Sequence, residues 1–294
     1  MASCLESPAS PLPTDSFVGP RFVRPRTVEV WDLPFAAVTM EETLDAIAGM
    51  IADQLPRMVI TANLNYAMLS SQHADLAAIN RQAALVLADG QPIVWRSRCG
   101  NAARLPERVA GSQLIYRLGE RAADDGWKLY LLGAAPGVAQ RCADGLRARY
   151  PGCQIVGVDS PPFRALSGAE QQEQLDRIRA ASPDVLLVAF GQPKGERWIH
   201  QHLEALQVPV SIQIGASFDF VAGTAQRAPV AYQRCGCEWA YRMLKDPRRL
   251  VPRYAGNAFF LARQLFRETI EWLAGGPKRS PIRDRRVTSE PPPY

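Results

Sequence analysis

Six short apolar runs, at 58–61, 84–88, 128–132, 154–158, 185–190 and 210–214, punctuate this chain, and amphipathic text lies between them. A strand solvated on one face alternates apolar and polar residues, whereas an uninterrupted apolar run is buried on both faces. Such strands alternating with amphipathic helices predict an α/β fold, a mostly parallel sheet with helices on both faces. Helical spacing is clearest at 112–123, 136–149, 168–181 and 196–206. An earlier helix opens at Thr39-Met40-Glu41-Glu42, with Thr39 able to cap and Glu42 at capping-box spacing. Ligands of such sheets bind beyond the carboxyl ends of the strands, so the residues that follow each run carry the functional information.

The flanks read differently. Residues 1–26 are rich in Pro and Ser without periodicity, and 275–294 are basic and proline-rich. Both are expected to be disordered tails. They enclose a core at 27–230 and a basic, amphipathic appendage at 231–274. With 294 residues, 47% of them hydrophobic, the chain can bury a sizeable core. A net charge of +5 favours acidic partners, among them phosphates and anionic lipid. No helix-turn-helix, zinc finger or RNP signature appears, so nucleic acid is not an expected partner. The six cysteines form no CxxC pair, and Cys235 and Cys237 are too close for a zinc knuckle. His200 and His202, two apart, do not share a helix face. The expectation is free thiols in a reducing cytoplasm and no metal site. No apolar run approaches the ~20 residues of a transmembrane helix, and no charged-then-apolar leader is present, so membrane contact is expected to be peripheral.

The strand ends carry the candidate site. One ends in Thr61-Ala62-Asn63, another in Asp89-Gly90. Asp-Gly is also ordinary turn chemistry, and Asn is an ordinary helix cap. At one end of a parallel sheet, however, Thr61, Asn63 and Asp89 would line one cleft, where a carboxylate can serve as general base. Leu131-Leu132-Gly133-Ala134-Ala135-Pro136-Gly137 reads as strand, glycine turn and helix start, which offers N–H groups to an anion or is a plain βα loop. It is not GxGxxG. Phe190-Gly191-Gln192-Pro193-Lys194-Gly195-Glu196 reads as a strand, a turn and a helix mouth. Lys194 can neutralise a phosphate there, and Glu196 suits the first turn through the helix dipole. Asp219 follows the last strand and either holds a sugar hydroxyl or caps.

Read in order, these segments resemble the WecG/TagA/CpsF family of glycosyltransferases. The match runs through Thr61-Ala62-Asn63, Leu87-Ala88-Asp89-Gly90, Glu107-Arg108-Val109, the glycine turn at Gly133, Gly191-Gln192-Pro193-Lys194 and Gly215-Ala216-Ser217-Phe218-Asp219. It continues through Ala222-Gly223, Arg227-Ala228-Pro229, Glu238-Trp239-Ala240-Tyr241-Arg242 and Asp246-Pro247-Arg248-Arg249. The resemblance implies a Rossmann-like core with a helical C-terminal appendage that completes the site near the membrane. It implies inverting transfer from a UDP-sugar donor to a polyprenyl-pyrophosphate-linked acceptor on the cytoplasmic face of the membrane, in cell-surface or exopolysaccharide synthesis, without a cofactor. It implies Asp89 as catalytic base, Thr61, Asn63 and Arg108 as site residues, and a homo-oligomer assembled through core helices. Two departures stand out. Many members carry Gln where this chain has Gly195, and Gly-x-Asp-Leu where it has Gly111-Ser112-Gln113-Leu114.

No Asp-x-Asp metal motif is present, so the leaving UDP is expected to be neutralised by Arg108, Lys194, helix N-termini and C-terminal arginines, of which Arg242, Arg248 and Arg249 are assigned to the acceptor pyrophosphate or the membrane. Ala258, Leu261, Ala262, Leu265, Phe266, Ile270 and Leu273 fall on one face of a final helix. That face either packs on the core or lies at a lipid interface. Two rival readings are a Rossmann-like nucleotide-cofactor oxidoreductase, against which the missing GxGxxG counts, and a non-enzymatic membrane adaptor, which leaves the polar strand ends without a purpose.

Overall fold

A computed structural model describes residues 21–99, 104–225, 229, 232, 238–245 and 247–274. The expected sheet is there: β3 (Arg57–Ala62), β4 (Leu85–Ala88), β5 (Lys128–Gly133), β6 (Gln154–Asp159), β7 (Val185–Ala189) and β8 (Val210–Gln213) pair in the order β4-β3-β8-β7-β5-β6. Every neighbouring pair is parallel. The carboxyl ends of all six strands therefore open on one edge, and the last strand of the sheet in sequence, β8, lies at its middle between β3 and β7.

Alternate residues of each strand face opposite layers, which is why the runs had to be apolar throughout. Val59, Leu87, Leu131, Leu187 and Ile212 pack on α1 (Met40–Asp53), α5 (Gly111–Asp125), α6 (Val138–Arg149) and α9 (Ser217–Val221). Ile60, Val86, Leu132, Leu186 and Val188 pack on α2 (Leu64–Gln72), α3 (Ala74–Gln82), α4 (Gln91–Arg98), α7 (Gly168–Ala181) and α8 (Lys194–Leu206). The Thr39 capping box on α1 forms as expected, and Ser167 with Glu170 makes a second on α7. Each such cap stabilises its helix by about 1 kcal/mol.

Two features were not expected. The first is an antiparallel hairpin, β1 (Thr27–Val30) and β2 (Leu33–Ala36), that covers the second layer with Val28, Leu33 and Phe35. Its two-residue turn puts Trp31 and Asp32 at φ 52° and 63°, the conformation of a primed hairpin turn without its usual Asn or Gly. The second is order at 21–26, within the segment read as a tail: Phe22 packs on the first layer, under the Arg57 guanidinium, and Arg24 donates to the Ala83 carbonyl at 2.7 Å. Residues 1–20 and 275–294 lie outside the described residues.

Beyond the core, α10 (Glu238–Lys245) precedes the 27-residue α11 (Pro247–Leu273). The second helix docks through Leu250, Asn257 and Phe260, with Phe260 edge-on to Trp31 at 5.7 Å and Gly256 against Met68 of α2. Further along, the Arg96 guanidinium of α4 meets both carboxylate oxygens of Glu268 at 2.9 Å. The stripe that docks is not the apolar stripe of the sequence. Phe259, Leu265, Phe266, Ile270 and Leu273 are 48–73% exposed. No helix among the described residues is long and apolar enough to cross a membrane.

Candidate active site

The carboxyl ends of β4, β3, β8 and β7 are joined by a web of polar contacts. The Asp89 N–H donates to the Ala62 carbonyl, and Gly90 lies against the backbone of Asn63 and Leu64. Asp89 and Asn63 are thus neighbours, as the spacing required. The Val109 N–H donates to the Ala88 carbonyl, which brings the Glu107-Arg108-Val109 segment alongside. Asp89 Oδ1 then accepts the Gly111 N–H at 3.3 Å, at the start of α5. A half-buried carboxylate is so aimed from a strand end and braced by the backbone at a helix N-terminus. Gly111 has no side chain for a reason: a Cβ there would stand 3.2 Å from the Ile214 carbonyl and 3.3 Å from Ser217 Oγ.

Asn63 caps α2, its Oδ1 accepting the Tyr66 N–H at 3.1 Å. The cap uses the amide oxygen and leaves the amide nitrogen as a donor. Thr61 is buried, and its hydroxyl donates to the Gln213 carbonyl at 2.8 Å. This side chain ties β3 to β8 rather than facing the opening. Gln192 joins the same web: its Nε2 donates to the Thr61 carbonyl at 3.1 Å, and its Oε1 is 3.5 Å from Asn65 Nδ2. Gln192 and Gln213 had no assigned role in the sequence. The signal was present in Gln213, a polar residue inside an apolar run.

On the far side of β8, Gly133 has φ 110° and packs so closely on β7 that a Cβ would stand 2.9 Å from the Phe190 ring and 3.0 Å from the Ala189 carbonyl. No other residue fits that strand end. Its carbonyl accepts the Ser160 hydroxyl at 3.1 Å. Gly191 turns the chain into α8 at φ 76°, and Lys194 at the helix mouth is exposed, its Nζ 5.6 Å over the Phe190 ring. Asp219 accepts the Thr224 hydroxyl at 3.1 Å; it lies inside α9, whose N-cap is Ala216, and does not cap that helix.

Glu196 is where the structure departs most from the sequence reading. It stands in the first turn of α8 as expected, but its side chain is turned into the interior. It is fully buried, neither carboxylate oxygen has a hydrogen-bond partner, and burial pushes its pKa up to about 8. Arg248 is exposed on α11, while the side chains of Arg242 and Arg249 lie outside the described residues, as do Arg227 and Ala228. Among the described residues, no group of three His, Cys, Asp or Glu could hold a metal ion.

The sequence profile of the WecG/TagA/CpsF glycosyl transferase family matches residues 28–273, which takes in both the sheet and the appendage. The chain belongs to this family. It is therefore an enzyme, a glycosyltransferase of cell-surface polysaccharide synthesis, and the oxidoreductase and adaptor readings are not favoured. Among its relatives is an N-acetylglucosaminyldiphosphoundecaprenol N-acetyl-β-D-mannosaminyltransferase of Bacillus spizizenii, 29% identical over 201 residues, 67% of this chain and 76% of the relative. Enzymes of the same name from Bacillus subtilis and Staphylococcus aureus are 28% and 27% identical over 78% and 76% of this chain, and 90% and 86% of their own lengths. The family thus joins a glycosyl-group transfer to a polyprenyl-diphosphate-linked acceptor.

Proposed function

We propose that this glycosyltransferase moves a sugar from a UDP-sugar to a polyprenyl-pyrophosphate-linked saccharide, with inversion, at the cytoplasmic face of the membrane. The observation that carries the reading is the Asp89 carboxylate, held at the end of β4 by the Gly111 N–H beside the Asn63 cap. Asp89 takes the proton of the acceptor hydroxyl. The acceptor oxygen attacks the anomeric carbon from the face opposite UDP, the new C–O bond forms, and the anomeric bond to the diphosphate breaks, its electron pair leaving on UDP. Asn63 offers its amide nitrogen to the sugar. Arg108, the exposed Lys194 and the N-terminus of α8 balance the charge that grows on the diphosphate. With no Asp-x-Asp motif in the sequence, these groups do that work without a metal ion. The acceptor class follows the relatives, whose names specify a diphosphoundecaprenol-linked sugar.

The exposed apolar stripe of α11 supports a peripheral membrane role. Phe259, Leu265, Phe266, Ile270 and Leu273 lie in water on a helix that also carries exposed Arg248, Arg263 and Arg267. Such a helix enters the interface of an anionic leaflet, where each basic residue adds about 1 kcal/mol. The deciding experiment incubates the full chain with a panel of UDP-sugars and polyprenyl-pyrophosphate-linked acceptors and reads products by mass. A glycosylated lipid is the expected product. Its absence with every pair, from folded protein, would refute the reading.

A further inference from the structure

Within the α8-facing layer of the sheet, the register neighbours of Gln213 are Ile60 on β3 and Val188 on β7, both apolar and fully buried. Gln213 is fully buried too, yet neither atom of its amide has a hydrogen-bond partner. An apolar side chain would fill this position without that cost, because a buried amide left unpaired loses its hydration for nothing. The layer it faces is also made to fit it. A Cβ on Gly195, in the first turn of α8, would stand 2.3 Å from Gln213 Oε1 and 2.4 Å from its Cδ. Gly195 is therefore empty because Gln213 fills the space from below. Gln213 lies at the candidate site: its backbone carbonyl accepts the Thr61 hydroxyl, and Gln192 bonds the Thr61 carbonyl.

We propose that Gln213 is a donor-binding and specificity-determining residue, its unpaired amide taking its hydrogen bonds from a polar group of the nucleotide-sugar through the cover that Gly195 leaves thin. This rests on the UDP-sugar reading above. The first turn of α8 packs directly on the amide at Gly195, so a donor that reaches it moves this turn.

The test uses four full-length proteins: the wild type, Gly195→Ala, Gly195→Ala/Gln213→Ala and Gly195→Gln/Gln213→Ala. The single variant drives a methyl into the amide and lowers Tm by about 5 °C or more. The alanine pair regains Tm but raises the KM for the donor about tenfold with little change in kcat. The swapped pair, with the amide returned from the helix, brings that KM back to within about threefold of wild type. Hydrogen exchange at 194–197 changes when donor binds the wild type and does not in the alanine pair. An unchanged Tm in Gly195→Ala, or wild-type KM in the alanine pair, overturns the proposal, since Gln213 would then be packing alone. If the wild type transfers nothing from any UDP-sugar, the reading of the reaction fails instead. The residue is then judged on UDP: about tenfold weaker UDP affinity in the alanine pair, read from the dependence of thermal stabilisation on UDP concentration, supports it, and equal values in all four proteins sink it.

Discussion

The carboxyl ends of the strands and the long α11 helix treat their side chains in opposite ways. At the strand ends, Thr61 ties β3 to β8, Asn63 caps α2, Gln192 holds the Thr61 carbonyl and Asp89 accepts from α5. These polar groups have a geometric duty within the chain. On α11 the reverse holds: Phe260 and Glu268 dock the helix, while the larger apolar stripe is left in water. On the function proposed above, the two regions meet different demands. A displacement reaction needs its base and charges held to within a fraction of an ångström, whereas association with a surface needs exposed area.

Five changes would break or sharpen this contrast. Asp89→Asn, a nearly isosteric change, should lower kcat by about 10²- to 10⁴-fold with little change in Tm; near-wild-type turnover from folded protein would remove Asp89 from the chemistry. On the other side, Phe259→Asp/Phe266→Asp/Leu273→Asp should weaken binding to anionic vesicles by roughly 10²-fold or more while leaving the core cooperative in thermal melts. Equal vesicle affinity in flotation assays would make the stripe irrelevant to lipid.

Glu196→Gln tests the interior between the two regions. Because burial holds the Glu196 pKa near 8, above the ordinary 4.5, the folded protein binds the proton more tightly than the unfolded chain. Stability from this group is full below about 4.5 and is lost as pH rises towards 8, by an amount on the order of a few kcal/mol. The glutamine variant should flatten that decline in denaturant titrations across this window. An unchanged slope would mean the carboxyl finds a partner.

Smaller effects follow at the joints. Asn63→Ala should cost about 1 kcal/mol through the lost cap and should also raise the donor KM. Arg96→Ala and Glu268→Ala should each cost less than about 1 kcal/mol, and a double-mutant cycle should recover only part of it, because the pair is partly solvated. Coupling near zero would leave Trp31 and Phe260 as the anchors of α11.

Much of this was legible in the sequence. The apolar runs predicted the sheet because strands buried on both faces leave no other pattern, and the adjacency of Asp89 and Asn63 was expected because both follow strands at one end of that sheet. The hairpin was missed because Trp31-Asp32 lacks the glycine or asparagine that marks a primed turn. Glu196 was misread because a helix first turn favours acids through the dipole, and only the packing of α8 on β8 turns that position inward. The docked stripe of α11 was missed for a related reason: beside Leu250 and Phe260 it is built from Gly256, Asn257 and Glu268, which add nothing to an apolar periodicity.

The position of β8 has a consequence for how the molecule comes into being. Its residues 210–213 pair with 57–60 on one side and 185–188 on the other, and β3 and β7 do not pair with each other. Until the ribosome has delivered residue 213, the chain can assemble a two-stranded piece, β3 with β4, and a three-stranded piece of β5, β6 and β7, but no strand joins them into one sheet. The Thr61 bond to Gln213 then closes a separation of 152 residues in one step. Such late, long-range closure makes the continuous sheet, and the alignment of its strand ends, depend on the last of its six strands to be made.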